Sequence, residues 1–438
     1  MGAEMATQTG YKASELGMIP QDWEISTIKD VILGTMQNGL FYEPSRKKGG
    51  TLFINVGDMY LSSPIKTDLL ATFQANEQEI KKFRVYNGDL LFTRSSIVPE
   101  GIAFCNFYAS EQIALFDSHL IKIRANRNLV LPDFLYLNCI SNFARKFFVS
   151  NAKTAIMTTI DQKVIGNCPV LLPSIFEQTA IATALSDTDA LISSLQTLIA
   201  KKKAIKLSAM QNLLSGKIRL PEFAQRTDGS PKTTRQTELG CVPEDWEVVE
   251  LGKRFETFSG GTPSTSIKGY YGGDIKWITS SDLNKGIIYD VENTITELGF
   301  QNSSAKKVKK DTLLLALYGA TAGVVGITKI DATINQAVLA IIPKRDSSLF
   351  LYYWLSFNKN KIIETYAQGG QANLSGDIVR AFNIVIPKSI TEQSAIAQLL
   401  SDMDAEIEAL ECRLKKTQAL KQGMMQTLLT GKIRLPLE

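Results

Sequence analysis

The sequence predicts an α+β chain. Two α/β domains are separated by two long helices that pair as an antiparallel coiled coil, and the whole is an internal duplication with a pseudo-twofold axis. Three observations predict it: a gapless repeat in each half that carries a heptad stripe, a second repeat that opens each half, and intervening segments that echo one another only faintly.

The gapless repeat aligns Glu177 to Pro221 with Glu392 to Pro436 at an offset of 215, with 25 of 45 positions identical. Repeats are read before anything else because they decide the architecture. The ends are almost verbatim: Glu177-Gln178 returns as Glu392-Gln393, and Gly216-Lys217-Ile218-Arg219-Leu220-Pro221 returns as Gly431-Lys432-Ile433-Arg434-Leu435-Pro436. The opening repeat runs from Glu15 through Leu16-Gly17 and Pro20 to Asp22-Trp23-Glu24. It reappears from Glu238 through Leu239-Gly240 and Pro243 to Asp245-Trp246-Glu247, now at an offset of 223. The boundaries that follow are a first domain with its head segment over 1–172, a spacer helix over 173–221 and a linker over 222–237. A second domain over 238–386 and a second spacer helix over 387–438 complete the chain. The linker is polar and carries Asp228-Gly229-Ser230-Pro231, a turn signal.

Within the repeated segments the apolar positions fall at Ile181, Leu185, Thr188, Ile192, Leu195 and Ile199. In the second copy they fall at Ile396, Leu400, Met403, Ile407, Leu410 and Leu414. Alternating steps of four and three are the seam of a coiled coil. Pro173 and Pro387 punctuate the starts and a glycine follows each end. Helices of about 38 residues would each be roughly 57 Å long. Two matching seams of equal length are expected to pack on each other, which sends the domains to opposite ends and sets a fixed distance between them. The alternative, two unrelated amphipathic helices on separate cores, leaves the matching unexplained.

Between the repeats, Asn87-Gly88-Asp89-Leu90 resembles Lys309-Lys310-Asp311-Thr312, and Phe134-Leu135-Tyr136 resembles Phe350-Leu351-Tyr352. The two domains are therefore read as one fold with two different surfaces. The second offers Thr262, Ser264, Lys268, Tyr270, Tyr271, Lys276 and Trp277 in and after a Gly-Gly-Thr-Pro-Ser run, together with Asn335-Gln336 and the amide-rich Gln368, Gln371 and Asn373. Glycines allow close backbone approach, hydroxyls and lysines bind phosphate, and amides pair with adenine edges. The first offers Arg46, Lys47 and Lys48 before two glycines, then Arg94-Ser95-Ser96 and Ser118-His119. These are candidate DNA contacts; taken singly, each also fits a solvated charge or a cap.

Hydrophobic residues at 44%, charged residues at 21% and a net charge of +4 describe an ordinary globular chain, only mildly suited to nucleic acid. The cysteines Cys105, Cys139, Cys168, Cys241 and Cys412 are scattered, which excludes a zinc ribbon and suits a reducing cytoplasm. The first ten residues lack the apolar core of a signal peptide. The longest uncharged run, Thr312 to Thr328, contains three glycines and reads as two buried strands around a turn, not a membrane span. A cytoplasmic protein is expected.

Catalytic signatures are missing. There is no Gly-x-x-x-x-Gly-Lys-Ser/Thr loop, no Asn-Pro-Pro-aromatic methyltransferase motif, and with His119 the single histidine, no His-x-x-x-His zinc site. Asp68 with Glu79-Ile80-Lys81 matches the loose Asp…Glu-x-Lys pattern of metal-dependent nucleases, but the segment Asn76 to Phe83 reads as a charged helix, not a catalytic strand. No metal and no cofactor is expected on this chain.

Together these motifs resemble the specificity subunit of type I restriction-modification systems. The resemblance rests on Pro-x-x-x-Glu-Gln-x-x-Ile-Ala before each helix, Leu-x-Gly-Lys-Ile-Arg-Leu after it, and Leu-Gly-x-x-Pro-x-Asp-Trp-Glu before each domain. The Gly-Gly-Thr-Pro-Ser…Trp-Ile-Thr and Gly-Gly-Gln-Ala-Asn-Leu segments add to it. It covers essentially the whole chain. It implies two target recognition domains, each reading one half of a bipartite sequence on double-stranded DNA, in a non-catalytic subunit. It also implies as partners two modification subunits that carry S-adenosylmethionine and methylate adenine at N6, and two ATP-dependent restriction subunits. A coiled-coil scaffold without a DNA role, or a stand-alone DNA-binding protein, are the alternatives from other classes.

Overall fold

The computed structural model describes residues 10–155, 157–366 and 373–436, without the side chains of Lys48 and Tyr366. The chain divides into two compact units. One is made by residues up to Gln196 together with those from Arg413 on, the other by Thr197–Cys412. Each unit thus takes the start of one long helix and the end of the other, so it joins segments far apart in the sequence.

The long helices span Ile175–Leu213 and Ile390–Leu428, 39 residues each. Their starts are capped alike: the Ser174 hydroxyl accepts from the Glu177 amide at 3.2 Å, and Ser389 from Glu392 at 3.4 Å. In the first unit Asp189 pairs with Lys421 at 2.6 Å and Thr188 donates to the Met424 sulfur at 3.8 Å. In the second, Lys202 meets Glu406 at 2.6 Å and Lys203 meets Glu411 at 2.7 Å, while Lys206 pairs with Asp404. From Thr188 to Asp189 the partner falls from Met424 to Lys421, and from Lys202 to Lys206 it falls from Glu406 to Asp404, so the pairing within each unit is antiparallel. The apolar positions along the two helices differ in burial. Ile181, Leu185, Leu195, Ile199, Ile396, Leu400 and Ile407 are buried, and Ile192, Met403, Leu410 and Leu414 are half-buried.

In the first unit a four-stranded sheet runs Gln37–Asn38, Leu120–Arg124, Asp89–Thr93, Cys105–Phe107. Beside it a three-stranded sheet runs Ala114–Phe116, Lys47–Ile54, Ala71–Phe73, its first pair parallel. Every residue of Asp89–Thr93 is buried. In the second unit a five-stranded sheet runs Phe255–Ser259, Val338–Pro343, Leu313–Ala316, Val325–Thr328, Ile287–Ile288. A four-stranded one runs Thr294–Ile295, Tyr271–Ile278, Ala332–Ile334, Lys306–Val308. The registers match: Thr93 lies opposite Leu120 as Ala316 lies opposite Val338, and Ile54 opposite Phe116 as Ile278 opposite Ile334. The uncharged run forms two buried antiparallel strands around a turn at Gly319–Thr321, as read. Among the described residues no helix is long and apolar enough to cross a membrane, and the five cysteines are free.

The repeated motifs meet in space. In the first unit the Trp23 indole donates to Glu177 at 3.0 Å, and Arg434 bridges Glu177 and Asp22 at 2.7 and 2.8 Å. In the second, Trp246 donates to Glu392 at 3.4 Å, and Arg219 bridges Glu392 and Asp245 at 2.6 and 2.8 Å. Each clasp therefore joins the head of one repeat, the first turn of the helix that follows it, and the tail of the opposite helix. Beside each glutamate, a fully buried glutamine secures the α/β domain. Gln178 donates to the Leu129 and Pro173 carbonyls and accepts from the Leu131 amide; Gln393 donates to Pro387 and Asp346 and accepts from the Ser347 amide. Gly216 and Gly431, at φ +70° and +68°, turn the chain after each helix, and a side chain there would strike Pro243 or Pro20. Burial pushes the Asp245 carboxyl up, but the bonds from Arg219 and Lys232 outweigh it and hold it down to about 2. Burial keeps Glu392 above its ordinary range despite the same arginine.

Candidate nucleic-acid interface

In the first unit three of the residues singled out from sequence converge. The strand Asp89–Thr93 ends at Arg94, whose amide donates to the His119 carbonyl at 2.8 Å and whose carbonyl accepts from Ile160 at 3.0 Å. That brings Arg94, Ser95 and His119 to one cleft of about 450 Å³, facing a hairpin of Lys153–Thr154 and Thr158–Thr159. A second cleft of about 450 Å³ shares Arg94 and Asp161 and adds Asn38 and Lys163. Among the described residues Arg94 and Lys163 have no ion pair. Lys153 is 3.9 Å from Asp161, both side chains more than half exposed, so this face carries surplus positive charge toward solvent.

The Asp117-Ser118-His119 turn joins Ala114–Phe116 to Leu120–Arg124 and so passes the chain from one sheet to the other. Asp117 is buried, and its Oδ1 accepts from the His119 amide at 2.7 Å and from His119 Nδ1 at 2.8 Å. The imidazole itself is 57% exposed. In the second unit the corresponding turn is Asn335-Gln336-Ala337, between Ala332–Ile334 and Val338–Pro343. Gln336 is exposed, and the Thr262 hydroxyl donates to its Oε1.

Thr262 is held by the residues that follow it. Trp277 is buried and donates to the Gly261 carbonyl at 3.3 Å, while Tyr271 donates to the Pro263 carbonyl at 2.6 Å and meets Trp277 edge to face. These aromatics shape the glycine-rich loop from beneath. Lys276 is engaged with Asp290 at 2.6 Å and the Val291 carbonyl at 3.1 Å. Ser264 bonds Ser266, Lys268 is exposed on a short turn, and Tyr270 is half-buried with its carbonyl accepting from Thr296. Asn373 is exposed; Gln368 and Gln371 lie outside the described residues.

Arg46 is committed to the fold: it donates to both Glu79 oxygens and to the Gln74 carbonyl, and stacks 4.6 Å from the Phe73 ring centroid. Lys47 is exposed, and the Lys48 side chain lies outside the described set. Glu79 also completes a capping box with Asn76 at the start of the helix Glu77–Phe83, so the Glu-x-Lys pattern sits on a helix with its carboxylate occupied. Among the described residues no group of His, Cys, Asp or Glu is arranged to hold a metal ion.

Sequence reasoning missed Asn38, Asn151, Lys153, Thr159 and Lys163, and Tyr318, which in the second unit follows Leu317 as Ser95 follows Arg94. Leu317 accepts from the Leu374 amide at 2.6 Å as Arg94 does from Ile160. None sits in a motif: the first five are located by the clefts they line, and Tyr318 by the matched strand registers.

A profile of the type I restriction modification DNA specificity domain matches this chain twice, over residues 20–204 and 243–418. The chain belongs to the type I restriction-modification specificity family. It is a specificity subunit, a non-catalytic component, with two recognition domains. It is 28% identical to the putative type I restriction enzyme MjaX specificity subunit of Methanocaldococcus jannaschii, over 98% of this chain and 97% of that protein. The MjaIX specificity subunit of the same organism is 39% identical over 40% of this chain and 41% of its own length. The fold is similar to the crystal structure of a type I S subunit from M. genitalium, with TM-score 0.57 and 14% identity, covering 93% of this chain and 96% of that one. Both matches of the specificity profile start in a head segment and run into a long helix, so each takes in a recognition domain with the tryptophan, aspartate and glutamate of its clasp, while Arg219 and Arg434 lie beyond the matched residues.

Proposed function

We propose that this specificity subunit reads a bipartite double-stranded DNA target, one half-site per recognition domain. It directs two modification subunits, which carry S-adenosylmethionine, to methylate adenine at N6, and two ATP-dependent restriction subunits to cleave. The observation that carries the reading is the pair of domains with matched strand registers but different exposed side chains at corresponding turns, His119 in one and Gln336 in the other. One scaffold with two dissimilar reading surfaces is what an asymmetric split sequence calls for. The duplicated helices, each closed by the same clasp residues, offer two equivalent surfaces for two copies of one partner. The work is cytoplasmic, where the DNA and the cofactors of those partners are found.

Long-read methylation mapping of the host with and without this gene tests it. Loss of N6-methyladenine at one split motif, with other motifs intact, is the expected result. An unchanged methylome together with no salt-dependent DNA retention by the purified complex would overturn it.

The helices are expected to set the spacing of the half-sites. Deleting seven residues from both, in register, shortens each by roughly 10 Å, while DNA repeats every 34–36 Å or so. The spacer in the methylated motif should therefore shorten; an unchanged spacer would remove the helices as the determinant.

A further inference from the structure

We infer that His119 and Gln336 are specificity-determining residues, each reading one base, and that Asp117 and Thr262 are the positioning residues that aim them. This rests on the DNA-reading role above and names the groups that perform it.

A side chain that reads a base has to satisfy two demands that rarely coincide on a protein surface. It has to be open to solvent, and its orientation has to be fixed before the DNA arrives, because an unrestrained rotamer loses entropy on binding. Most candidates fail one demand. Arg46 and Lys276 are fixed but spent on neighbours, Trp277 is buried under its own loop, and Lys268 is open but without a partner side chain among the described residues. His119 and Gln336 satisfy both: each is exposed and each is held by a side chain, Gln336 by Thr262 and His119 by Asp117 at 2.8 Å, with the Ser118 hydroxyl at 3.5 Å.

Their backbones are equally fixed, and by the same device. The Asp117 amide donates to the Ile54 carbonyl at 3.0 Å, and the Asn335 amide to the Ile278 carbonyl at 3.1 Å. A glycine closes on each turn from the neighbouring strand. A Cβ on Gly39 would lie 2.1 Å from the Phe116 carbonyl oxygen, and one on Gly260 would lie 1.8 Å from that of Ile334. Two domains whose sequences have drifted almost beyond recognition keep this crossing, yet place a different held side chain on it.

The grip decides what each residue offers. A carboxylate only accepts, so the 2.8 Å contact places a proton on His119 Nδ1; in the neutral tautomer that this contact selects, Nε2 is left as an acceptor. An acceptor there matches an exocyclic amino group, N6 of adenine or N4 of cytosine. The Thr262 hydroxyl donates to Gln336 Oε1, so the amide N–H groups of this exposed side chain are what remains to offer, matching a ring nitrogen or carbonyl acceptor.

The test uses the complex with its modification partners, methylating a DNA library that carries the mapped motif with each position randomised. His119→Ala is expected to relax one position in one half-site, with discrimination falling on the order of tenfold, and Gln336→Ala to relax one position in the other half-site. Asp117→Ala should relax the same position as His119→Ala, whereas Asp117→Asn, whose carbonyl still accepts from Nδ1, should restore it. Removing the amino group from the base at that position should lower methylation by the wild type and leave His119→Ala indifferent. An unaltered motif in both His119→Ala and Gln336→Ala, or relaxation in the same half-site by both, would sink the assignment while leaving DNA reading intact. Absence of any split motif in the wild type would instead sink the underlying role. Should Asp117→Ala fail to fold, His119→Ala and the base analogue still decide.

Discussion

An Arg219→Ala variant is expected to lose about 3–5 kcal/mol of stability, the usual result of stripping one partner from a buried charge pair. Arg219 and Glu392 have side chains 9% and 2% exposed. Removal of the guanidinium leaves a carboxylate with only the Trp246 indole in a poorly hydrated site, and frees Asp245 to its bond with Lys232. Chemical denaturation of the second unit's transition measures the loss. The pH dependence carries a sign. In the wild type Asp245 titrates at about 2, below its ordinary 3.8, so the unfolded chain binds more protons between those values. Its contribution is complete above that window and disappears as pH falls through about 2. Glu392, already raised by burial, takes up a proton readily once Arg219 is gone, so the deficit of Arg219→Ala should shrink as the pH is lowered from 7 into the carboxylate range. A deficit independent of pH would show that the arginine acts through packing alone. Restoring stability with Glu392→Gln in the Arg219→Ala background would identify the unpaired charge as the cause. Arg434→Ala is expected to act in the same direction on the first unit, and less strongly, because its side chain is 38% exposed.

The second large effect is expected from Gly260→Ala. The added methyl would overlap the Ile334 backbone oxygen at 1.8 Å, and a backbone atom inside a sheet cannot swing aside as a side-chain tip does. Overpacking of this kind costs about 1–3 kcal/mol and sometimes more. It would also displace the loop that delivers Thr262 to Gln336. Reading of one half-site should fail while the other persists, and Gly39→Ala should produce the mirror result. Methylation motifs from the two variants, with melting curves beside them, check this. Loss of both half-sites in either variant would mean that the damage spreads beyond the domain.

The long helices were legible because a heptad stripe depends only on spacing, and two copies of Glu177–Pro221 cross-checked each other. The clasp was visible as motif but not as contact: nothing in Glu-Gln or Gly-Lys-Ile-Arg indicates that Arg219 seeks Glu392, 173 residues away. The domains were less legible, since their strands are short and their side chains have diverged. The sequence echo even set Asp89 beside Asp311, one residue away from the register of the strands. Thr93 and Ala316 occupy the same place, which puts Gly88, at φ +90°, beside Asp311, at φ +67°. The left-handed turn is what the two copies share; the aspartates are not equivalent. Among the candidate contacts, residue type selected Arg46, Trp277 and Lys276 as readily as His119. Composition does not record whether a charge is already spent on a neighbour, and that is a property of the fold.

The phenol of Tyr11 donates to the carbonyl of Gly431 at 2.9 Å, and Arg434 reaches back to Asp22 at 2.8 Å. Damage to this gene should therefore not map where its position suggests. A stop codon just after Leu428 would remove a few residues from the end of the second repeat, yet the protein part it injures is the first. During synthesis, the first recognition domain would wait for the codon of Arg434 before its clasp could close, although all of its own strands had long since been made.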